Sequence, residues 1–257
     1  MASTYILAIM AICSVQFAQS ANIEKRGLLD GIPLVGPLLQ QAVDQVASAT
    51  SSFISDTLST LGGGVTQAQT IAQNHSDQAT EVNNAAKGPL ESLLKAVTDE
   101  IHSVVDNSLQ YGWNSTLCVA GQTGNAESIV KRAATNIFDC TQTEIQYTIE
   151  LLGDITNLNN QGIALARSTP SQFASCISWD IIGILSCVQN ISSTAISRFL
   201  LLLSSQLSDI YALTVQGIYL PEHLTRCGAD QIFKATADVG GIITNVGECI
   251  KQVASNS

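Results

Sequence analysis

Basic residues, aromatics and histidines are scarce in this chain, and each shortage removes a class of function. Lys and Arg number 11 against 21 Asp and Glu, a net charge of −10. An acidic chain with scattered lysines is a poor match for phosphodiester backbones or anionic headgroups, so nucleic acid is not an expected partner. Aromatics make up 5% of residues, which leaves Leu, Ile, Val and Ala to build a core by helix packing. With three histidines and no C-x-x-C pair, no ligand set suits structural zinc or thioredoxin-like redox chemistry. The sequence also contains no G-x-S-x-G, no H-E-x-x-H, no phosphate-binding glycine loop and no EF-hand spacing. No enzyme activity, cofactor or metal is therefore expected.

The polar residues that could be mistaken for a site have plainer readings. His75 falls on an apolar seam beside Asn74 and is expected in a core or interface. His102 follows Asp99-Glu100, and His223 follows Pro221-Glu222; both are expected in solvent, as are the carboxylates of Glu144 and Glu150. Long apolar runs are missing too. Phe199-Leu200-Leu201-Leu202-Leu203 is far too short to span a bilayer and reads as a fully buried helix.

The N-terminus has its own logic. Tyr5 to Cys13 is an apolar run too short for a span, and Ala18-Gln19-Ser20 is a small-residue cleavage motif, so residues 1–20 read as a secretory signal cut after Ser20. Loss of Cys13 with that signal turns seven cysteines into six, a parity suited to an oxidising, extracellular compartment. Lys25-Arg26 then marks either the end of a short propeptide, residues 21–26 cut after Arg26, or two solvated charges at a terminus. Removing residues 1–26 takes acidic residues from 21 to 20 and basic ones from 11 to 9, a net charge of about −11. Sequons at Asn74, Asn114 and Asn190 are candidate glycan sites, with Asn114 favoured because Gly112 and Cys118 suggest an exposed loop.

What the chain has in abundance is helical periodicity. Val35, Leu39, Ala42, Val46, Ala49 and Phe53 step as an a/d seam, opened by Pro33 and Pro37 and ended by Gly62-Gly63-Gly64. Val65, Ala68, Ala72, His75, Ala79, Val82 and Ala86 continue the stepping until Lys87-Gly88-Pro89. Leu90, Leu94, Val97, Ile101 and Val104 carry it to Tyr111-Gly112. Residues 27–112 thus read as a cysteine-free region of two or three antiparallel helices. Residues 113–257 read as a disulfide-stapled helical domain. Its first long helix runs from Glu127 to about Leu152, with Ile129, Val130, Ala133, Ile137, Ile145, Ile149 and Leu152 inward. Gly153 and residues 157–162 suggest a turn, Ser168-Thr169-Pro170 a helix start, Leu220-Pro221 a loop holding Cys227, and Gly240-Gly241 a bend in the last helix. The β-branched residues never alternate for long, so no strand is expected.

Cys118 to Cys140 and Cys227 to Cys249 repeat one Cys-x21-Cys spacing. Ala120, Gln122, Ala126, Val130, Thr135 and Asn136 of the first segment fall on Ala229, Gln231, Ala235, Val239, Thr244 and Asn245 of the second, which suggests an internal duplication. Cys176 and Cys187 complete the six. A disulfide needs Cα atoms within about 7 Å, whereas the Cys118–Cys140 interval as straight helix spans about 33 Å. Pairing within a segment therefore requires the chain to double back, which Gly240-Gly241 would permit in the second segment and nothing suggests in the first. Links between different helices are expected, with Cys140–Cys176 one candidate, each adding about 2–4 kcal/mol.

The predicted fold is an all-α, disulfide-stabilised multi-helix bundle. Signal, helical body and spaced cysteines together resemble secreted helical insect proteins, many of them without an assigned function. Insect odorant-binding proteins also carry six cysteines on helices around a lipophilic pocket, but this chain is longer and lacks their C-x-x-x-C pair; saposin-like proteins need close cysteine pairs that are missing here. Two functions stay open. One is a secreted, non-enzymatic module binding a small apolar ligand, in a cavity lined by Leu200, Leu203, Ile210 and Ile145. The other is an extracellular structural or protein-interaction component of a secretion, venom, saliva or coat, with homo-oligomerisation through residues 35–105 as one form.

Overall fold

The computed structural model describes residues 35–111, 113–176 and 181–255, with side chains from residue 40 onward except those of residues 181 and 182. The expected signal, the Ser20 and Arg26 processing sites and Gly112 lie outside them. The described chain is helical: α1 (Val35–Gln110), the short α2 (Thr116–Val119), α3 (Gln122–Ser175) and α4 (Ile181–Ser255). No strand occurs among the described residues. The fold is a disulfide-stapled, all-α multi-helix bundle.

The sequence breakers do not break. α1 is continuous for 76 residues through Gly62-Gly63-Gly64 and Pro89, where two or three helices were expected. α3 runs through the supposed 157–162 turn and through Pro170; α4 carries Pro221, Cys227 and Gly240-Gly241 within one 75-residue helix. A proline inside a helix costs about 3 kcal/mol through its missing N–H and its ring. Each of the three has its ring in solvent, while Leu90 beside Pro89 and Leu220 beside Pro221 are buried. Burial of the flanking seam residues offsets the lost bond, so tertiary packing overrides the local signal.

By contact density the chain forms two compact units. Among the described residues, one comprises 35–55 with 166–176 and 181–197, the other 56–111 and 113–165 with 198–255. In the first, the Thr50 and Ser192 hydroxyls meet at 3.1 Å, and Cys176 bonds Cys187 with Cα atoms 5.7 Å apart. Thr50 rather than Ala49 is the buried position here, which shifts the expected seam by one residue. Thr50 can sit inside because its hydroxyl also contacts the Val46 carbonyl at 2.7 Å, and Ser192 donates to the Val188 carbonyl at 2.8 Å.

The second unit holds the larger core. In its middle the buried and half-buried positions of α1 follow a seven-residue rhythm: Thr57, Leu61, Gly64, Ala68, Ile71, His75. α4 does likewise at Phe199, Leu203, Gln206, Ile210, Leu213, Gly217 and Leu220. Beyond His75 the rhythm lengthens to eleven residues in three turns: His75, Ala79, Val82, Ala86, Leu90, Leu93, Val97, Ile101, Val104, Ser108. α4 matches it at Leu220, Leu224, Gly228, Gln231, Ala235, Val239, Ile242 and Val246. A period of 3.5 coils helices to the left and one of about 3.67 slightly to the right. The heptad expectation thus holds for the middle and gives way in the rest.

That second stretch carries the two long-range disulfides. Cys118 of α2 bonds Cys249 of α4, and Cys140 of α3 bonds Cys227 of α4, with Cα separations of 5.6 and 5.8 Å. Interhelical linkage is as expected, but the Cys140–Cys176 candidate is not formed. Without a turn between them, those residues stand roughly 54 Å apart on continuous helix. The bridges run reciprocally, the first cysteine of one segment to the last of the other, so the Cys-x21-Cys segments lie antiparallel. Asn136 Nδ2 donates to Gln231 Oε1 at 3.1 Å in the same register. Matching positions share their burial: Cys118 and Cys227, Ala126 and Ala235, Ala133 and Ile242, Ile137 and Val246 are all buried. Gly121, with φ of 76°, makes the left-handed turn from α2 into α3.

Candidate functional site

The residues expected to line an apolar cavity do not converge on one. Ile210 packs in a cluster with Ala68, Leu151, Ile155 and Leu213, whereas Ile145 belongs to another with Ala79, Leu220 and Leu224. Leu200 reaches the surface and Leu203 is half-buried. Two of the best-formed depressions are open and lined largely by polar residues, each along a single helix: one at Gln40, Asp44, Ser48 and Ser52, the other at Pro221, Thr225, Arg226 and Asp230. Neither has the enclosed apolar walls that hold a small lipophilic molecule.

The polar candidates are mostly structural. His75 is buried, and Thr148 ties it to α4: Thr148 hydroxyl donates to Gln216 Oε1 at 3.0 Å, and Gln216 Nε2 donates to the Glu144 carbonyl at 2.9 Å. With its proton so used, Thr148 must accept from His75 Nδ1–H, 2.9 Å away, which fixes the tautomer. Burial holds the His75 pKa below its ordinary value and keeps the ring neutral. Nε2 faces Gly217, where an added Cβ would stand 2.6 Å from it. Because Thr148 is the buried position, Ile149, expected inward, is exposed. Another interhelical bond joins Gln206 Nε2 to the Leu61 carbonyl at 2.8 Å. His102 and His223 are exposed as expected; His223 Nδ1 lies 3.2 Å from Glu144 Oε2, and Glu144 is half-buried. Glu150 is exposed and accepts from Gln146 at 3.2 Å.

Asn74, Asn114 and Asn190 are all exposed, Asn74 on α1, Asn114 in the connection before α2 and Asn190 on α4. The six cysteines Cys118, Cys140, Cys176, Cys187, Cys227 and Cys249 are all bonded in pairs. Among the described residues no cluster of three or more His, Cys, Asp or Glu is placed to hold a metal. Nor is any helix among them long and apolar enough to cross a membrane.

The departure from ordinary bundle chemistry lies on α4. Phe199 is fully buried, yet Leu201, within the run expected to be wholly buried, is 69% exposed. Leu200, Leu207, Tyr211 and Ile218 also reach solvent, at spacings of 7, 4 and 7 residues. At 3.6 residues per turn these spacings put all four within about 20° of one line along the helix. That line lies about 110° around the helix from the core face of Phe199, Gln206, Ile210 and Leu213. Between Arg198 and Glu222 the only charged residue on α4 is Asp209. It is half-buried, and its pKa is raised by that burial and by nearby Asp154. A helix apolar on every side is ordinarily covered on every side. Here the outer side is open among the described residues, and periodicity alone had assigned that apolar excess to the core.

Family models, characterised proteins and solved structures give no match to this chain. The candidate site therefore rests on geometry alone: an apolar, nearly uncharged strip on a disulfide-stapled scaffold.

Proposed function

We propose that this chain is a secreted, non-enzymatic structural or protein-interaction component of an extracellular material, working through the outer face of α4. The observation that carries the reading is the open line of Leu200, Leu207, Tyr211 and Ile218 on a helix whose core face is already filled by Phe199, Gln206, Ile210 and Leu213. Apolar side chains recurring along one exposed line of a stapled scaffold support an interaction site. Tyr211 and Tyr219 supply the aromatic anchors favoured in such contacts. Secretion is supported by the N-terminal signal pattern and by three disulfides, and glycosylation by three exposed sequons. The same reading includes kinship with secreted helical insect proteins. It also includes descent of the two Cys-x21-Cys segments from one unit, supported by their reciprocal bridges and matched burial.

The test is native mass spectrometry of the protein from its natural secretion, before and after denaturation. Protein complexes that dissociate on denaturing are expected. A bare monomer that releases a small molecule would overturn the reading in favour of ligand carriage.

A further inference from the structure

We infer that the protein docked on the outer face of α4 is a second copy of this chain, the two α4 helices packing antiparallel about a two-fold axis beside residue 209. This rests on the interaction reading above and names its partner. The strip reads the same in both directions: Leu207 and Tyr211 stand two residues either side of 209, Leu200 and Ile218 nine either side. Ser204 and Thr214, both exposed, lie five either side. In an antiparallel pair each Leu207 meets Tyr211 of the other copy and each Leu200 meets its Ile218. Such self-complementarity is what a two-fold interface requires, since one patch must serve as both partners.

Charge restricts where two copies can meet. Two copies of a chain with net charge −10 repel over most of their surface. They can approach where α4 carries no charge but Asp209, itself half-buried beside Asp154. From Leu200 to Ile218 the strip is about 27 Å long, enough for a multi-turn helix pair. A lipid surface is disfavoured because residues 199–221 carry no Lys or Arg for the polar face of a membrane-binding helix.

Sedimentation equilibrium of the full-length, disulfide-intact protein over a range of concentrations tests the inference. Wild type should form dimers. Leu207→Glu and Tyr211→Glu should each raise the dimer dissociation constant at least about tenfold without lowering helix content, because both side chains are exposed. Phe138→Glu, equally exposed but on α3, should leave it unchanged. Under oxidation, a mixture of Leu207→Cys and Tyr211→Cys proteins should cross-link to each other in preference to either alone. A protein monomeric throughout overturns the inference, as does a dimer indifferent to both glutamates or a monomer that binds phosphatidylcholine vesicles. If such a monomer still leaves the natural secretion bound to a different protein, self-docking fails while the interaction reading stands. Release of a small molecule from a bare monomer sinks both.

Discussion

The middle of the larger unit and its disulfide-bearing stretch solve the same packing problem in different ways. In the middle, Leu61, Ala68, Ile155, Phe199 and Leu213 pack on a seven-residue seam punctuated by Gln206 and by the His75–Thr148–Gln216 chain. No cysteine lies there. Past His75 the seam turns to eleven residues, and two interhelical bridges clamp it. The rhythm changes at the level of the His75 layer. Hydrogen bonds with fixed partners hold register where the rhythm changes; covalent bonds hold it where many small residues, Ala79, Ala86, Ala126, Ala133 and Ala235 among them, leave less apolar area to bury.

The largest expected effect removes that difference. Replacing Cys118, Cys249, Cys140 and Cys227 together by Ala should lower unfolding stability by more than about 4 kcal/mol, read from urea transitions. The bridges close sequence separations of 131 and 87 residues. Removing Cys176–Cys187, whose separation is 11, should cost less, about 2–3 kcal/mol. An unchanged midpoint in the quadruple variant would mean that helix packing alone sustains the eleven-residue stretch.

Two identical substitutions should then move stability in opposite directions. Gly217→Ala drives a methyl into His75 Nε2 and should cost about 1–3 kcal/mol. Gly240→Ala, with open space around its Cβ, should gain about 0.5–1 kcal/mol. Thermal unfolding of the pair decides it, and a loss at Gly240 would restore the bend that the sequence suggests there.

A smaller effect concerns pH. The folded-state pKa of His75 lies below its ordinary 6.5, so the unfolded chain binds the proton more readily. Its contribution is therefore fully present above pH 6.5 and lost as pH falls through the depressed folded value. A His75→Gln variant, compared with wild type in urea melts between neutral and mildly acidic pH, should show a flatter profile. Parallel profiles would remove the histidine as the cause.

Much of this was legible along the chain. Apolar stepping revealed helices, and the buried positions Ala68, Ala79, Ala86, Val97, Ile101, Ala133 and Ile137 fell where the seam put them. The stepping failed where the core uses hydroxyls and amides. Thr50, Thr148 and Gln206 are buried, and helical Thr or Ser can satisfy its hydroxyl on a carbonyl one turn back, so an apolar scale misses them. The α4 strip was invisible for the converse reason: an apolar residue in a sequence does not say which side of a helix is already occupied.

Composition and period by themselves determined an all-helical chain with cysteines placed to link helices, because periodicity and intrahelical bonding are local. Only the tertiary structure decided that Gly62-Gly63-Gly64, Pro89, Pro170 and Pro221 interrupt nothing, which cysteines meet, and which apolar face of α4 stays open. Those outcomes depend on neighbours distant in sequence. The energy of burying a flanking leucine against another helix outweighs one missing backbone bond, and no local pattern records it.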